Sequence, residues 1–278
     1  MDNDGSVYVS EFDNARVMKF AEGSLMGTLM AGTGVDGNNN VQLYRPAAIL
    51  LDTAGNLYVA DSSNARVMLW YKNATTGIRV AGNGLSPNAT NVLSAASGLD
   101  LDSMGNLYIS DYYGHRVVKW TPNTTNVVFL AGTGSPGSGS HQLNSPYGVY
   151  FDQSNLYLYI ADTLNHRIQR YHVGVSMSGT TVAGGNGPGF GNHQFDTPYS
   201  MCISKKTGAM YIADYNNHRI QRWDPGATSG VTIVGTTGLS GTTSTLLNHP
   251  SNVMLDRDET YLYVSERDNH RVQRFRLI

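Results

Sequence analysis

A ten-residue string recurs six times along this chain, at intervals of 50 to 52 residues. The copies read EFDNARVMKF, DSSNARVMLW, DYYGHRVVKW, DTLNHRIQRY, DYNNHRIQRW and ERDNHRVQRF. Each copy begins with an acid and has an arginine five positions later, which gives the pairs Glu11 and Arg16, Asp61 and Arg66, Asp111 and Arg116, Asp162 and Arg167, Asp214 and Arg219, and Glu266 and Arg271. A repeat of this length in strand-rich sequence is typical of a β-propeller, so the period constrains the fold strongly.

Each repeat divides into four segments with β character. The first segment reads RPAAILLD, AASGLDLD, SPYGVYFD, TPYSMCIS or HPSNVMLD, and the second includes GNLYVAD, GNLYISD and GAMYIAD. The third is the arginine string, and the fourth is short and leads into a glycine loop, as in LMAGTG and TVAGGNG. The first copy lacks its first segment and the last copy lacks its fourth. We therefore expect four-stranded antiparallel blades with incomplete terminal blades.

The strand segments are apolar on both faces, as in VYVS and LYIS. A propeller blade packs between two neighbours and must bury both of its faces, so this pattern fits the fold. The acid and the arginine flank a tight loop, which predicts a structural ion pair across each hairpin. We expect a left-handed backbone at the turn position, which is occupied by Asn14, Asn64, Gly114, Asn165, Asn217 and Asn269.

The later copies of the string resemble NHL repeats. DTLNHRIQRY, DYNNHRIQRW and ERDNHRVQRF each follow a P-x-x-V/M segment and a G-x-LYV segment, and the similarity extends from Ser6 to Phe275. The resemblance implies an all-β, six-bladed β-propeller, and we expect residues 1–278 to form one NHL-repeat domain. NHL rings commonly occur inside longer proteins, so we also expect this chain to be part of one.

Composition excludes some partners. The net charge of −2 provides no overall attraction for a phosphate backbone, so we do not expect a nucleic-acid partner. No apolar run is long enough to cross a bilayer, and the single cysteine, Cys202, cannot form an internal disulfide. Glycosylation acceptors at Asn73, Asn88 and Asn123 favour an extracellular location weakly, and the compartment stays open.

Four histidines occupy equivalent positions in successive repeats: His115, His166, His218 and His270. Equivalent residues of adjacent blades lie too far apart to share one zinc ion, whose ligands must approach to about 2 Å. We therefore expect these histidines to be structural, with hydrogen bonds beside the arginine, and we expect no metal or cofactor. The repeated acid and arginine are also interpreted as structural, because a catalytic residue is needed once and these recur in every copy.

Functional residues are better sought where the copies disagree. In a propeller the loops between the second and third strands, and those entering the inner strand, lie on one face around the channel mouth. At these positions the chain has Phe12, Tyr44, Arg45, Tyr112, Tyr113, Tyr147, His193, Tyr199, Tyr215, His249 and Arg267. Tyrosine and arginine are typical anchors of binding interfaces. An alternative is that Tyr147 and Tyr199 pack on each other and only cap the channel.

The sequence favours a non-enzymatic binding module that recognises a protein, peptide or glycan through this face. One alternative is a metal-dependent enzyme resembling the peptidyl-hydroxyglycine lyases, whose central zinc is held by histidines. The inner-strand segments contain no histidine, and His249 only precedes one. A second alternative is RNA binding, as in some NHL proteins, but no basic face is evident.

Overall fold

The structure is a computed structural model that describes residues 2, 4–82, 92–122, 124 and 127–277. The predicted glycosylation acceptors Asn88 and Asn123 lie outside these residues, whereas Asn73 lies in an exposed turn. Within the described part of the chain, no helix has the length and apolar character that a membrane span requires.

The fold is a six-bladed β-propeller, as predicted, and it contains two compact units, Met1–Phe129 and Leu130–Ile278. The single domain expected over residues 1–278 stays a prediction. In the first unit, blade one consists of β1 (Val7–Glu11), β2 (Arg16–Phe20) and β3 (Gly27–Gly32), and blade two of β4 (Pro46–Leu51), β5 (Leu57–Asp61), β6 (Arg66–Trp70) and β7 (Ile78–Ala81). Blade three consists of β8 (Ala96–Leu101), β9 (Leu107–Asp111), β10 (Arg116–Trp120) and β11 (Val127–Gly132), and the boundary between the units falls inside β11.

The second unit contains the last three blades. Blade four consists of β12 (Pro146–Asp152), β13 (Tyr157–Asp162), β14 (Arg167–His172) and β15 (Thr180–Gly184), and blade five of β16 (Pro198–Ile203), β17 (Met210–Asp214), β18 (Arg219–Trp223) and β19 (Val231–Gly235). Blade six has only β20 (Pro250–Leu255), β21 (Tyr261–Glu266) and β22 (Arg271–Arg276). The first and last blades therefore have three strands each, which confirms the predicted incomplete terminal blades.

Adjacent blades within each unit bury apolar faces against one another. In the first unit, Ala60 and Val67 of blade two share a core with Ile109 and Val118 of blade three. In the second unit, a core joins Ile168 of blade four to residues of blade five that include Ile212 and Trp223. All residues of β6, β9 and β17 are buried. This is the burial on both faces that the apolar segments predict.

Every acid of the repeated string faces its arginine across the hairpin between the second and third strands. The Nε–H of the arginine donates to the carboxylate at distances of 2.6 to 3.0 Å. Burial is greatest in blade five, where the Arg219 side chain is 1% exposed and that of Asp214 is fully buried. Burial raises the pKa of the Asp214 carboxyl to about 6, while hydrogen bonds from Asn217 and Arg219 oppose that change.

In blades two to six the pair also fixes the loop that enters its own blade. In blade five, Asp214 accepts the backbone N–H of Asp196 at 2.7 Å. The guanidinium of Arg219 donates to the carbonyls of Phe190, Gly191 and Gln194 at 2.9 to 3.0 Å. Equivalent bonds join Arg66, Arg167 and Arg271 to the loops that precede their blades. The pair therefore connects the hairpin to the crossover from the previous blade.

The predicted left-handed backbone at the turn asparagines is wrong. The left-handed residue comes one position later, at φ of 47° to 54°, and it is Ala15, Ala65, His115, His166, His218 or His270. In four copies the asparagine is the last residue of a short 3₁₀ turn instead. Its amide bridges two acceptors: the Nδ2 group of Asn165, for example, donates to Asp162 Oδ2 and to the carbonyl of Gly137, both at 2.8 Å.

We expect Arg219→Ala to lower the free energy of unfolding by about 3 to 5 kcal/mol, because it leaves the Asp214 carboxylate buried without its counter-charge. The matched control is Arg16→Ala in blade one, where the arginine side chain is 38% exposed and the ion pair is worth below about 1 kcal/mol. Urea-induced unfolding measures both changes. Equal losses in the two variants would contradict the view that burial sets the strength of these pairs.

Candidate functional site

Four aromatic side chains of the second unit form a continuous stack, the aromatic ladder, composed of Tyr147, Tyr199, Tyr215 and His249. The ring centroids of Tyr147 and Tyr199 lie 4.5 Å apart, those of Tyr199 and Tyr215 lie 4.3 Å apart, and those of Tyr215 and His249 lie 4.5 Å apart. The last two pairs are stacked with interplanar angles of 18° and 29°. All four residues are partly exposed, so the ladder is accessible at its surface.

The local sequence explains where the ladder residues lie. Tyr147 and Tyr199 are the second residues of inner strands β12 and β16, directly after the proline that opens each strand. Tyr215 begins the 3₁₀ turn after β17, next to the buried Asp214. His249 precedes the proline of β20 and has a left-handed backbone with φ of 49°. A residue before proline is normally extended, so this conformation stores strain at the site.

Two charged residues flank the histidine end of the ladder. Asp268 Oδ2 lies 2.6 Å from Nδ1 of His249, and both Asp268 and Arg267 are exposed. The backbone N–H of Arg267 donates to the carbonyl of His249 at 3.1 Å, which holds the two loops together. Burial raises the pKa of Tyr215, while the nearby Arg267 lowers it. The site thus combines aromatic rings with one cation and one anion.

Two of the hairpin histidines make structural hydrogen bonds, as predicted, and the partners lie in the next blade. Nδ1 of His166 accepts the backbone N–H of Thr197 at 3.1 Å, and Nδ1 of His218 accepts that of His249 at 3.2 Å. The rings of His218 and His249 also meet edge to face at 4.5 Å. Because Nδ1 is the acceptor, these bonds require the neutral tautomer protonated at Nε2. His218 therefore positions the last member of the ladder.

The other candidate residues form separate groups in the first unit. The Arg45 guanidinium lies over the rings of Phe12 and Tyr44, 5.7 and 5.8 Å from their centroids. Tyr112 and Tyr113 meet edge to face at 5.1 Å. That these groups bind the same partner as the ladder stays a prediction.

His193 does not lie with the ladder, so its predicted placement is wrong. It lines an open recess of about 630 Å³ in the second unit, together with Trp223 and Thr228. Trp223 ends β18, whereas the ladder lies beside the turn that begins this strand. The loop from residue 186 to residue 194 runs along the sheet toward its far end, where the Asn192 carbonyl accepts the Gly230 N–H.

Asp268 and His218 belong to this site, although the sequence-based predictions do not include them. Asp268 occupies a position of the repeated string at which the copies differ, so the criterion that selected the tyrosines could have found it. His218 belongs to a repeated set and gave no such signal. Across the described residues, no three His, Cys, Asp or Glu side chains are grouped in a way that could hold a metal ion.

The hydrogen bond to His218 predicts a pH dependence of stability. Burial and the neighbouring His249 lower the pKa of His218 below its ordinary value. A lowered pKa means that this contribution to stability is present above about pH 6.5 and is lost as the pH falls through the folded-state value. Unfolding experiments at several pH values should show this loss in the wild-type protein and less of it in His218→Gln, which cannot titrate.

His141→Gln is the matched control, since His141 is exposed and lies in a loop away from the ladder. An unchanged pH profile in His218→Gln would show that another group causes the effect.

Comparison with curated proteins finds partial matches to NHL repeat-containing protein 2. The protein from Bos taurus is 34% identical over 84 residues, which cover 28% of this chain and 12% of that protein. The protein from Homo sapiens is 33% identical over 86 residues, with the same coverage. The match thus takes in about an eighth of each relative's length. No family model matches the chain.

Solved structures share the fold at low identity. An auxiliary nutrient binding protein from Bacteroides thetaiotaomicron has a TM-score of 0.70 and 14% identity, covering 98% of this chain and 66% of its own. A gluconolactonase from Xanthomonas campestris has a TM-score of 0.68 at 12% identity, covering 95% and 80%. A catalytically inactive virginiamycin B lyase from Staphylococcus aureus has a TM-score of 0.63 at 11% identity, covering 100% and 93%. With its six string copies, its six sheets and its partial matches to NHL repeat-containing protein 2, this chain is an NHL-repeat β-propeller.

Proposed function

We propose that this chain is a non-enzymatic binding module that recognises a protein, peptide or glycan through the aromatic ladder. The observation that carries the proposal is the unbroken stack from Tyr147 to His249, with centroid separations of 4.3 to 4.5 Å. Tyrosines bury large areas at a low cost in side-chain entropy, and they keep a polar group for specificity.

The tyrosines of the ladder pack on one another, and this packing limits how a partner can contact them. Tyr199 contacts the rings of both Tyr147 and Tyr215, so the ring faces used in these contacts are not available to a partner. The ladder offers ring edges and hydroxyl groups instead. A partner would contact it with polar groups at its surface rather than by stacking on the face of Tyr199.

The charged end of the ladder supports the same kind of partner. Arg267 is a hydrogen-bond donor and Asp268 an acceptor, and both are exposed beside His249. A peptide backbone or a glycan offers both donors and acceptors over a short distance, and each can engage such a pair. A phosphate backbone offers acceptors and negative charge only, and the net charge of −2 does not favour it.

The fold neighbours are compatible with binding and do not exclude catalysis. Proteins with this fold include ones described as auxiliary nutrient binding proteins, and also a gluconolactonase and a lyase. Because the curated matches take in 12% of each relative, a further role of a longer protein around this propeller is also a proposal.

An enzymatic function is the second candidate, and the contact of 2.6 Å between His249 and Asp268 favours it. A carboxylate on one imidazole nitrogen can orient a histidine as a general base. Turnover of a lactone or a lyase substrate that is lost in His249→Ala would support this candidate. Absence of turnover in the wild-type protein across both substrate classes would count against it.

We expect Tyr199→Ala to weaken binding of a peptide or glycan selected on arrays by about 30-fold, which corresponds to the 2 kcal/mol typical of an interface hot spot. Tyr71→Ala is the matched control, because Tyr71 is exposed and directly follows β6, in the other unit. Affinities are measured by calorimetry, with circular dichroism to check folding. Equal binding by wild type and Tyr199→Ala would overturn the proposal.

A further inference from the structure

Two histidines hold the loops that carry the ladder. Nδ1 of His166 in blade four accepts the backbone N–H of Thr197 at 3.1 Å, and Nδ1 of His218 in blade five accepts that of His249 at 3.2 Å. Thr197 and His249 each come directly before the proline that opens an inner strand, β16 or β20. The ladder runs from blade four through blade five to His249, so it crosses both of the blade junctions that these hydrogen bonds close.

The positions of the ladder rings depend on these two loops. Tyr199 follows Thr197 by two residues, and His249 is itself the last ring of the ladder. Thr197 and His249 have left-handed backbones, with φ of 61° and 49°. A residue before proline is normally extended, so contacts from outside the loop must hold it in this conformation. The histidine hydrogen bonds supply such a contact at each junction.

The turn itself does not require a histidine. In the first unit, Ala15 has the hairpin position of the two histidines, and Arg45 precedes the inner-strand proline with φ of 52°. Alanine offers no side-chain acceptor, and the Arg45 guanidinium lies over the Phe12 ring instead, 5.7 Å from its centroid. Arginine keeps its charge over the whole range in which histidines titrate. The imidazole acceptors therefore make the two junctions of the ladder sensitive to pH, in contrast to the turn at Arg45.

Each of these hydrogen bonds exists only with a neutral imidazole. A neutral ring can accept a hydrogen bond at Nδ1, whereas a protonated ring carries a hydrogen on both nitrogens. Protonation would set a ring N–H against the backbone N–H of Thr197 or His249, across the 3.1 and 3.2 Å that the hydrogen bonds now span. Two donors at this distance repel each other, so the loop cannot keep its position.

The surroundings of His218 hold its ring neutral. Burial lowers the pKa of His218, and so does the His249 ring, which meets it edge to face with 4.5 Å between centroids. Asp268 raises the same pKa, but its carboxylate lies 2.6 Å from Nδ1 of His249 and acts first on that ring. The other charged or titratable groups around these two rings are Tyr215, Arg267 and the buried pair of Asp214 and Arg219.

His166 has a carboxylate beside it that can take over its ring. Oδ1 of Asp196 lies 3.7 Å from Nδ1 of His166, and both side chains are partly exposed. A protonated Nδ1 can donate to this oxygen, and the backbone N–H of Thr197 then loses its acceptor. The next charged groups along the chain, Asp162 and Arg167, are paired with each other at 2.7 Å. The protonated state of His166 is thus provided with a different partner.

We propose that protonation of His166 and His218 opens the ladder and releases its partner, so that the ladder binds at neutral pH and not in a mildly acidic environment. Release of a partner rests on the proposed function, whereas opening of the ladder does not. The hydrogen bonds are complete above the ordinary histidine pKa of about 6.5. They are lost as the pH falls through the folded-state pKa, which for His218 lies below that value.

Opening is tested without a partner, by NMR of the full chain between about pH 8 and about pH 5, a range that spans the ordinary histidine pKa. As the His166 and His218 imidazoles titrate, the amide protons of Thr197 and His249 should shift upfield. The nuclear Overhauser contacts between the Tyr215 and His249 rings should be lost in the same range.

Asparagine at the hairpin position separates the proton from the hydrogen bond. Its side-chain oxygen can take the place of Nδ1, it tolerates a left-handed backbone and it does not titrate. The double variant His166→Asn/His218→Asn should therefore keep the ring contacts at about pH 5, below the ordinary histidine pKa. His270→Asn is the matched control and should open as wild type does. His270 has the same hairpin position and φ of 49°, is exposed, and makes no ring hydrogen bond with the described residues.

Release is tested by calorimetry with the array-selected ligand whose binding Tyr199→Ala weakens. Wild type should bind it about 10-fold more weakly at about pH 5 than at about pH 7.5, the loss expected when two hydrogen bonds no longer hold the binding conformation. The double asparagine variant should change by less than about 2-fold, since it keeps both acceptors.

Ring contacts that persist when both imidazoles are protonated, or that the double variant loses as wild type does, would overturn the proposal. An affinity that does not change with pH, although the contacts are lost, would overturn release of the partner. Equal binding by wild type and Tyr199→Ala would remove the proposed function and release with it, while the NMR result would still decide whether the ladder opens.

Discussion

The ion pair between an acid and an arginine is the interaction on which each blade depends. It closes the hairpin between the second and third strands, and in blades two to six it also holds the loop that enters the blade. In blade four, Asp162 accepts the backbone N–H of Asn144, and Arg167 donates to carbonyls of the same loop, including that of Ser138. A single side-chain pair therefore fixes three chain segments that lie up to 29 residues apart in sequence.

The strength of this constraint varies along the chain. The arginine side chain is 38% exposed in blade one, 1% in blade five and 28% in blade six. The most buried pair thus lies in a complete blade, and the most exposed ones lie in the three-stranded terminal blades. The attraction between two opposite charges is stronger where water is excluded. The same two residues therefore form ion pairs of different strength in different blades. The ladder residues Tyr199 and Tyr215 both belong to blade five, which has the most buried pair.

The sequence predicts the architecture well because the repeat encodes local structure. Strand segments, the pairing of each acid with its arginine and the incomplete terminal blades all follow from residues within one copy. The contacts that the sequence does not indicate are hydrogen bonds whose partners lie in another copy. The roles of His166 and His218 depend on the backbone of the next blade, 31 residues away, and no spacing within one copy indicates that contact. The turn asparagines bridge to a loop in the same way.

The candidate site was predictable in its residue types but not in its grouping. The positions at which the copies differ include those of Tyr147, Tyr199, Tyr215 and His249. They also include Arg45, which lies over the Tyr44 ring, and His193, which lines the recess. Which rings meet depends on the path of each loop, and the left-handed residues before the inner-strand prolines set that path. Their φ angles of 49° to 61° occur at Arg45, Ser145, Thr197 and His249, four unrelated side chains. No residue type at this position marks the turn, so the grouping follows from tertiary structure.

The ladder departs from the repeat in its side chains and not in its backbone. Arg271 and Glu266 form the same pair in the three-stranded blade six as in complete blades, at 2.6 Å, and this pair faces across β21 and β22 in the same register. Because the repeat fixes the backbone in this way, residues such as Tyr215 and Asp268 can differ from copy to copy without loss of the hairpin that positions them. The binding specificity that we propose for the ladder therefore rests on side chains and not on the backbone.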